Sequence, residues 1–212
     1  PVMFAHNDSG GGPQFFALGT GCKLRAVFDV PGAPAKDWED MAAGPGHTLW
    51  FGDIGGNRSE VNVGRVKEPR KLSSRKLGHT SYTLTYPDGS HNAEAMMVRP
   101  GNGRLYIITK SKTPAAIYRA PKVLDPDGDN QLTNVAAAGT GLSGADFSRK
   151  GTHFVLRGYR RAFVYTSLSD TSPTVVPLPE AHTFGEAGMF TRAGALVSGA
   201  AATRQWPWKA KP

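Results

Sequence analysis

The chain has 212 residues, enough for one domain with a sizeable core. Gly 26 and Pro 16 mark many turns, no run of about twenty apolar residues is present to span a membrane, and a single cysteine excludes an internal disulfide. The net charge of +8 attracts polyanions at long range, yet the basic residues are scattered and form no nucleic-acid motif.

In chain order the sequence reads as short β-branched and aromatic runs separated by turns, as strands should be. The opening PVMFAHNDSGG is followed by strands predicted at 13–19 and 23–30. The segment DWEDMA at 37–42 then introduces TLWFGDIGG at 48–56, a strand at 61–66, a long basic loop at 67–79 and a strand at 81–87. The same order returns after NAEAMM at 92–97, with strands at 104–112, 115–120 and 132–138. It returns again after GADFS at 144–148, with strands at 153–161, 162–167 and 174–179, and after GEAGMF at 185–190, with runs at 195–203 and 204–209.

Repeats of about 40–50 residues, each of four strands, predict an all-β fold: a five-bladed β-propeller over residues 1–212. The first unit lacks its inner strand and the last its outer one, so the two ends are expected to meet in a composite blade or leave a seam. A sandwich would not repeat a carboxylate at the head of every fourth strand.

In a propeller, equivalent positions form rings about the axis. Glu39, Glu94, Asp146 and Glu186 are therefore expected on one ring near a mouth. They serve there as backbone acceptors locking blade to blade, as oxygen ligands of a hard cation such as Ca²⁺ with Asn7, or as paired acid and base. Around that mouth the layout places His6, Asn7, Asp8, Asp53, His91, Lys110, Arg157 and Tyr159, with Arg157 and Tyr159 two apart on one strand face. Arginine, lysine, tyrosine, histidine and asparagine in one cleft suit recognition of a carboxylate or phosphate, with proton transfer beside it.

The motifs HNDSG, DWEDMA, FGDIGGN, HNAEAMMV, IITK and the Arg157–Gly158–Tyr159 strand resemble a family of secreted actinobacterial β-propeller proteins, from Pro1 to about Gly199. They are also similar to small streptomycete hyaluronidases, which act as hyaluronate lyases. The chain departs from the family pattern in its missing opening strand and at Ser198–Ala200, where the family tends to be acidic. The resemblance implies a propeller and export; a start at Pro1 fits removal of an export signal. With the net charge, it implies an enzyme cleaving an acidic polysaccharide, hyaluronan, by β-elimination. Arg157, with Asn7 or Lys110, would neutralise the uronate, His91 or Tyr159 would move the proton, and His6, Asp8, Lys110 and Trp38 would hold the sugar. No cofactor is required on that reading, and a secreted monomer without a nucleic-acid or membrane partner is expected. A cation-dependent phosphoesterase or lactonase and a non-catalytic glycan-binding propeller are the alternatives.

Overall fold

The computed structural model describes residues 2–8, 10–111, 114–178, 187–191 and 196–199. Residue Glu186, the run at 204–209 and the expected meeting of the chain ends lie outside the described residues.

Each repeat folds into an antiparallel sheet because its runs are short, apolar on alternate residues and joined by tight turns. The first blade orders β1 (Met3–His6), β2 (Gln14–Leu18) and β3 (Leu24–Asp29) from the inside outward. The second holds β4 (Trp38–Gly44), β5 (Thr48–Asp53), β6 (Glu60–Lys67) and β8 (His79–Thr85). In the third, β9 (Ala93–Val98), β10 (Leu105–Thr109), β11 (Ala115–Arg119) and β13 (Thr133–Ala138) follow the same plan. The fourth contains β14 (Leu142–Phe147), β15 (Phe154–Gly158), β16 (Arg161–Tyr165) and β17 (Thr174–Pro177). Last comes a two-stranded hairpin of β18 (Ala187–Phe190) and β19 (Leu196–Gly199).

The fold is a β-propeller, and it shows four blades rather than the expected five. Counting repeats overstated the blades because the fifth unit contributes only its first two strands among the described residues. Among the described residues the first blade, as expected, has no strand inside β1.

The cores lie between blades. One apolar cluster joins Phe15 and Phe28 of the first blade to Trp38 and Phe51 of the second. The next joins Trp50 and Tyr82 to Met96 and Ile107, and a third joins Met97 and Ile108 to Leu156 and Phe154. The second and third sheets are therefore buried on both faces, which explains the nearly unbroken apolar runs of β9 and β10.

The basic segment at 67–79 is more than a loop. It carries β7 (Arg75–Lys76), which pairs in parallel with β3 on the outer edge of the first blade. The β11–β13 connection does the same, sending β12 (Asn130–Gln131) onto β8 of the second blade. Asn130 is buried, and its amide donates to Thr83 O, Asp125 O and Gly128 O. Each latch gives an exposed edge strand a short partner. Among the described residues no α-helix occurs and no helix could cross a membrane.

Candidate functional site

The inner strands β4, β9 and β14 each carry a β-bulge near their start. Pairing skips a residue between Trp38 and Asp40 on β4, between Ala93 and Ala95 opposite β10, and between Leu142 and Gly144 on β14. Bulges re-aim side chains and are enriched beside functional sites. The bulged residues are Glu39, Glu94 and Ser143, which makes them the equivalent positions. The expected ring is corrected accordingly: Asp146 lies three residues past its bulge, so it is out of register with Glu39 and Glu94.

The blade-locking role belongs instead to Asp40 and Asp146. Asp40 accepts hydrogen bonds from Met41 N at 2.8 Å, Met96 N at 2.9 Å and Ala145 N at 3.3 Å, tying three blades together. Burial raises its pKa well above the ordinary carboxylate range, opposed by those three N–H donors. Asp146 accepts from Phe190 N at 2.9 Å, joining the fourth blade to β18; burial pushes its pKa up to about 7.

Glu39 has a different fate. With Asp8 and Asp37 it forms a group of three carboxylates whose ligand oxygens all lie within 4.8 Å of one another. The backbone is built to bring them together. Asp53, 2% exposed at the end of β5, accepts from Asp37 N at 2.6 Å, while Gly55 N donates to Asp37 O at 3.2 Å. Arg58 braces this corner, donating from Nε to Gly55 O at 2.8 Å and pairing with the Asp53 carboxylate at 3.4 Å. A Cβ at Gly55 would meet Glu39 Oε1 at 2.1 Å and Asp37 Oδ2 at 2.3 Å, so a side chain there would push the two carboxylates out of place. Burial raises the Asp37 pKa, and the Asp8 charge raises it further while Arg58 lowers it.

Glu94, in the equivalent bulge of the next blade, binds Lys110 Nζ at 2.5 Å and accepts from Asn92 Nδ2 at 3.1 Å. Lys110 lies 5.3 Å from the centre of the Tyr159 ring. Burial works against its charge, but Glu94 and the Tyr159 hydroxyl outweigh it and hold the pKa above the usual lysine range. Lys110 is thus a fixed cation. Glu39 and Glu94 occupy equivalent bulges at the same end of neighbouring inner strands, so the pair and the carboxylate group belong to one mouth.

His6 closes the first-blade side. Its Nδ1–H donates to Asn7 O at 2.7 Å, and burial lowers its pKa. Asn7 and Asp8 are exposed beside it.

Three expected contacts are not at this surface. Arg157 is 0% exposed, donates to Gly158 O at 2.9 Å and packs against Gly188, so it underlies the mouth. It parts from Tyr159 because β15 ends at Gly158. Trp38, 3% exposed, stacks on Phe51 at 4.6 Å, supports the His6 ring from below and donates to Pro34 O. His91 is engaged between the second and third blades, with Asp88 Oδ1 and the Tyr118 hydroxyl each 3.0 Å from Nε2. Sequence reasoning missed Asp37, Asp40, Asn92 and Gly55. The D-x-E spacing of Asp37 and Glu39 was the available signal, since residues two apart share a strand face.

No family model matches the sequence, and no curated protein matches it. Among solved structures the chain is similar to a gluconolactonase from Xanthomonas campestris, at 14% identity and TM-score 0.52, covering 88% of this chain and 62% of that one. It is also similar to a virginiamycin B lyase from Staphylococcus aureus, at 14% identity and TM-score 0.51, covering 93% and 62%. The chain therefore spans less than two thirds of either neighbour, and at this identity the likeness is one of fold.

Proposed function

We propose that the chain is a propeller hydrolase that opens an anionic ester or lactone at this mouth, with a divalent cation such as Ca²⁺ held by Asp8, Asp37 and Glu39. The observation that carries it is the convergence of three carboxylates within 4.8 Å, two of them packed over Gly55. Two oxygens on one Ca²⁺ are at most about 5 Å apart, given metal–oxygen distances of about 2.3–2.6 Å, and an all-oxygen donor set suits a hard cation. When bound, the cation supplies Lewis-acid polarisation of the substrate oxygen and a more acidic water.

The chain's own groups divide the remaining work. Lys110, kept charged by Glu94 and Tyr159, stabilises negative charge developing on the substrate. Asn92 and Glu94 fix the ammonium in place. The Tyr159 hydroxyl stands beside Lys110 to pass a proton to the leaving oxygen. An extracellular, monomeric setting accompanies this reading.

The Lys110–Tyr159 pair also favours a second reading, β-elimination of an acidic polysaccharide such as hyaluronan. Lys110 would neutralise the uronate, and Tyr159 would take the carbon-bound proton and return one to the departing glycosidic oxygen. The net charge of +8 would draw such a polymer in.

Turnover of aryl esters, aryl phosphates, aldonolactones and hyaluronan, each with chelator and with Ca²⁺ restored, separates the readings. Chelator-sensitive hydrolysis rescued by Ca²⁺ supports the first. A conjugated, ultraviolet-absorbing uronate released from hyaluronan with chelator present supports the second. Glycan binding with no turnover of any substrate would sink both.

A further inference from the structure

At the far ends of the same strands the second and third blades enclose a second site. The β4–β5 turn at Pro45 and the β9–β10 turn at Gly103 border a pocket of about 370 Å³, within the size range of small-molecule sites. Because the mouth lies at the opposite ends of β4 and β5, where Trp38 pairs with Asp53, the two sites are separated by the length of these strands.

The pocket is organised around Arg65. This residue sits on β6 opposite Trp50, and its guanidinium carbon lies 5.4 Å from the Trp50 ring centre and 5.5 Å from that of Tyr82. The two rings are stacked, 5.8 Å apart at 23°, so they form a rigid bed that fixes the plane of the guanidinium. Among the described residues no hydrogen bond or ion pair reaches the Arg65 side chain, so its N–H fork is left for something else. Lys122 and Asn102 line the same pocket and add a second cation and an amide able to donate and accept. Beside them Val123 is 81% exposed, an apolar patch at the rim.

We propose that this pocket binds one acidic sugar unit, its carboxylate taken by Arg65. A planar guanidinium fork matches a carboxylate at two points. Lys122 adds attraction that steers the anion inward, Asn102 meets hydroxyl groups, and Val123 covers the apolar face of the ring. The unit can come from a free sugar acid or from a residue within a polymer; both present the same carboxylate. The site is independent of the chemistry at the mouth.

The test is titration calorimetry of the intact chain with glucuronate, glucose, inorganic phosphate and a hyaluronan hexasaccharide. Glucuronate should bind and glucose should not, and Arg65→Gln should weaken glucuronate at least tenfold. Arg65→Lys should recover only part of that loss, because the charge returns without the fork. Lys122→Gln, a change at the exposed rim that should leave the fold intact, should weaken binding severalfold and flatten its salt dependence. Asp37→Asn at the mouth should leave glucuronate binding at this pocket unchanged. Binding of the hexasaccharide as tight as glucuronate or tighter places the source in a polymer; hexasaccharide exclusion places it in free sugar acids. Equal binding of phosphate and glucuronate would reduce the pocket to a bare anion hole and overturn the sugar assignment. Unchanged affinity in both Arg65→Gln and Lys122→Gln would overturn the site itself.

Discussion

Glu39 and Asp40 are neighbours in sequence and opposites in use. Asp40 turns its carboxylate inward and spends it on backbone N–H groups of three blades. Glu39, one residue earlier and thrown out of register by the bulge, stands against two other carboxylates at the mouth. The axis satisfies its charge with fixed donors; the mouth gathers three carboxylates whose oxygens lie within 4.8 Å of one another. One carboxylate motif therefore serves structure and chemistry at once, and the bulge decides which residue does which.

The largest expected effect tests the axis. Replacing Asp40 by Ala strands the N–H groups of Met41, Met96 and Ala145 inside the molecule. Each buried unpaired donor costs about 1–3 kcal/mol, so a combined loss of about 3–5 kcal/mol is expected, near 10 °C in Tm. Glu39→Gln should leave the melting curve almost unchanged. Calorimetry of both variants decides it, and equal destabilisation would erase the contrast.

The second test uses pH at the other axial carboxylate. Burial raises the pKa of Asp146 in the fold to about 7, against roughly 3.9 in an unfolded chain. The folded state therefore holds a proton between those values that the unfolded state has lost, so stability falls as pH rises from about 4 to 7 and levels off above. The fall is at most about 4 kcal/mol. Asp146→Asn keeps an acceptor for Phe190 N and should flatten the profile; an equally steep profile in Asp146→Asn would assign the slope elsewhere.

At the mouth the same comparison predicts loss of activity without loss of fold. Glu39→Gln should lower hydrolytic turnover by about 10²–10³-fold. Gly55→Ala should act in the same direction and less strongly. Its Cβ displaces the flexible ends of Glu39 and Asp37 rather than backbone, so the carboxylates move apart while Tm holds. Turnover and melting are measured side by side. Full activity in Gly55→Ala would show that the convergence is not what the chemistry uses.

These contrasts mark how far the sequence could be read. Strand order, the missing strand inside β1 and the placement of Glu94 and Lys110 at one mouth were legible, because they follow from period-two patterning and the repeat. The bulges were not, since a skipped residue leaves no compositional trace. That is why Asp146 was placed on the ring and Asp40 overlooked. Arg157 looked like a cleft residue because its strand was read through to Tyr159. The strand stops at Gly158 instead, and β15 is buried along its whole length, Arg157 included. The latches β7 and β12 escaped notice because two-residue parallel strands are fixed by tertiary pairing rather than by local propensity.

The smallest expected effect concerns a carboxylate that belongs to neither region. Asp88 accepts from the Tyr118 hydroxyl at 2.7 Å, and that hydrogen bond is the main reason its pKa is lowered, with burial opposing and His91 adding to the fall. A lowered pKa in the fold means that the interaction stabilises the protein above the unfolded value of about 3.9 and is lost as pH falls through the folded one. The sign is opposite to that of Asp146. Because Asp88 is 46% exposed, solvent screens much of the interaction. Tyr118→Phe should cost about 0.5–1 kcal/mol at neutral pH, and the penalty should shrink in acid as Asp88 takes up its proton. Catalytic turnover should not change, since Tyr118 lies between the second and third blades and makes none of the contacts that hold Lys110. Denaturant unfolding at pH 7 and pH 3 gives both numbers. A penalty that is the same at both values would mean that Tyr118 acts through its ring contacts with Tyr86 and His91, at 4.8 and 5.2 Å, and that the bond to Asp88 adds nothing to stability.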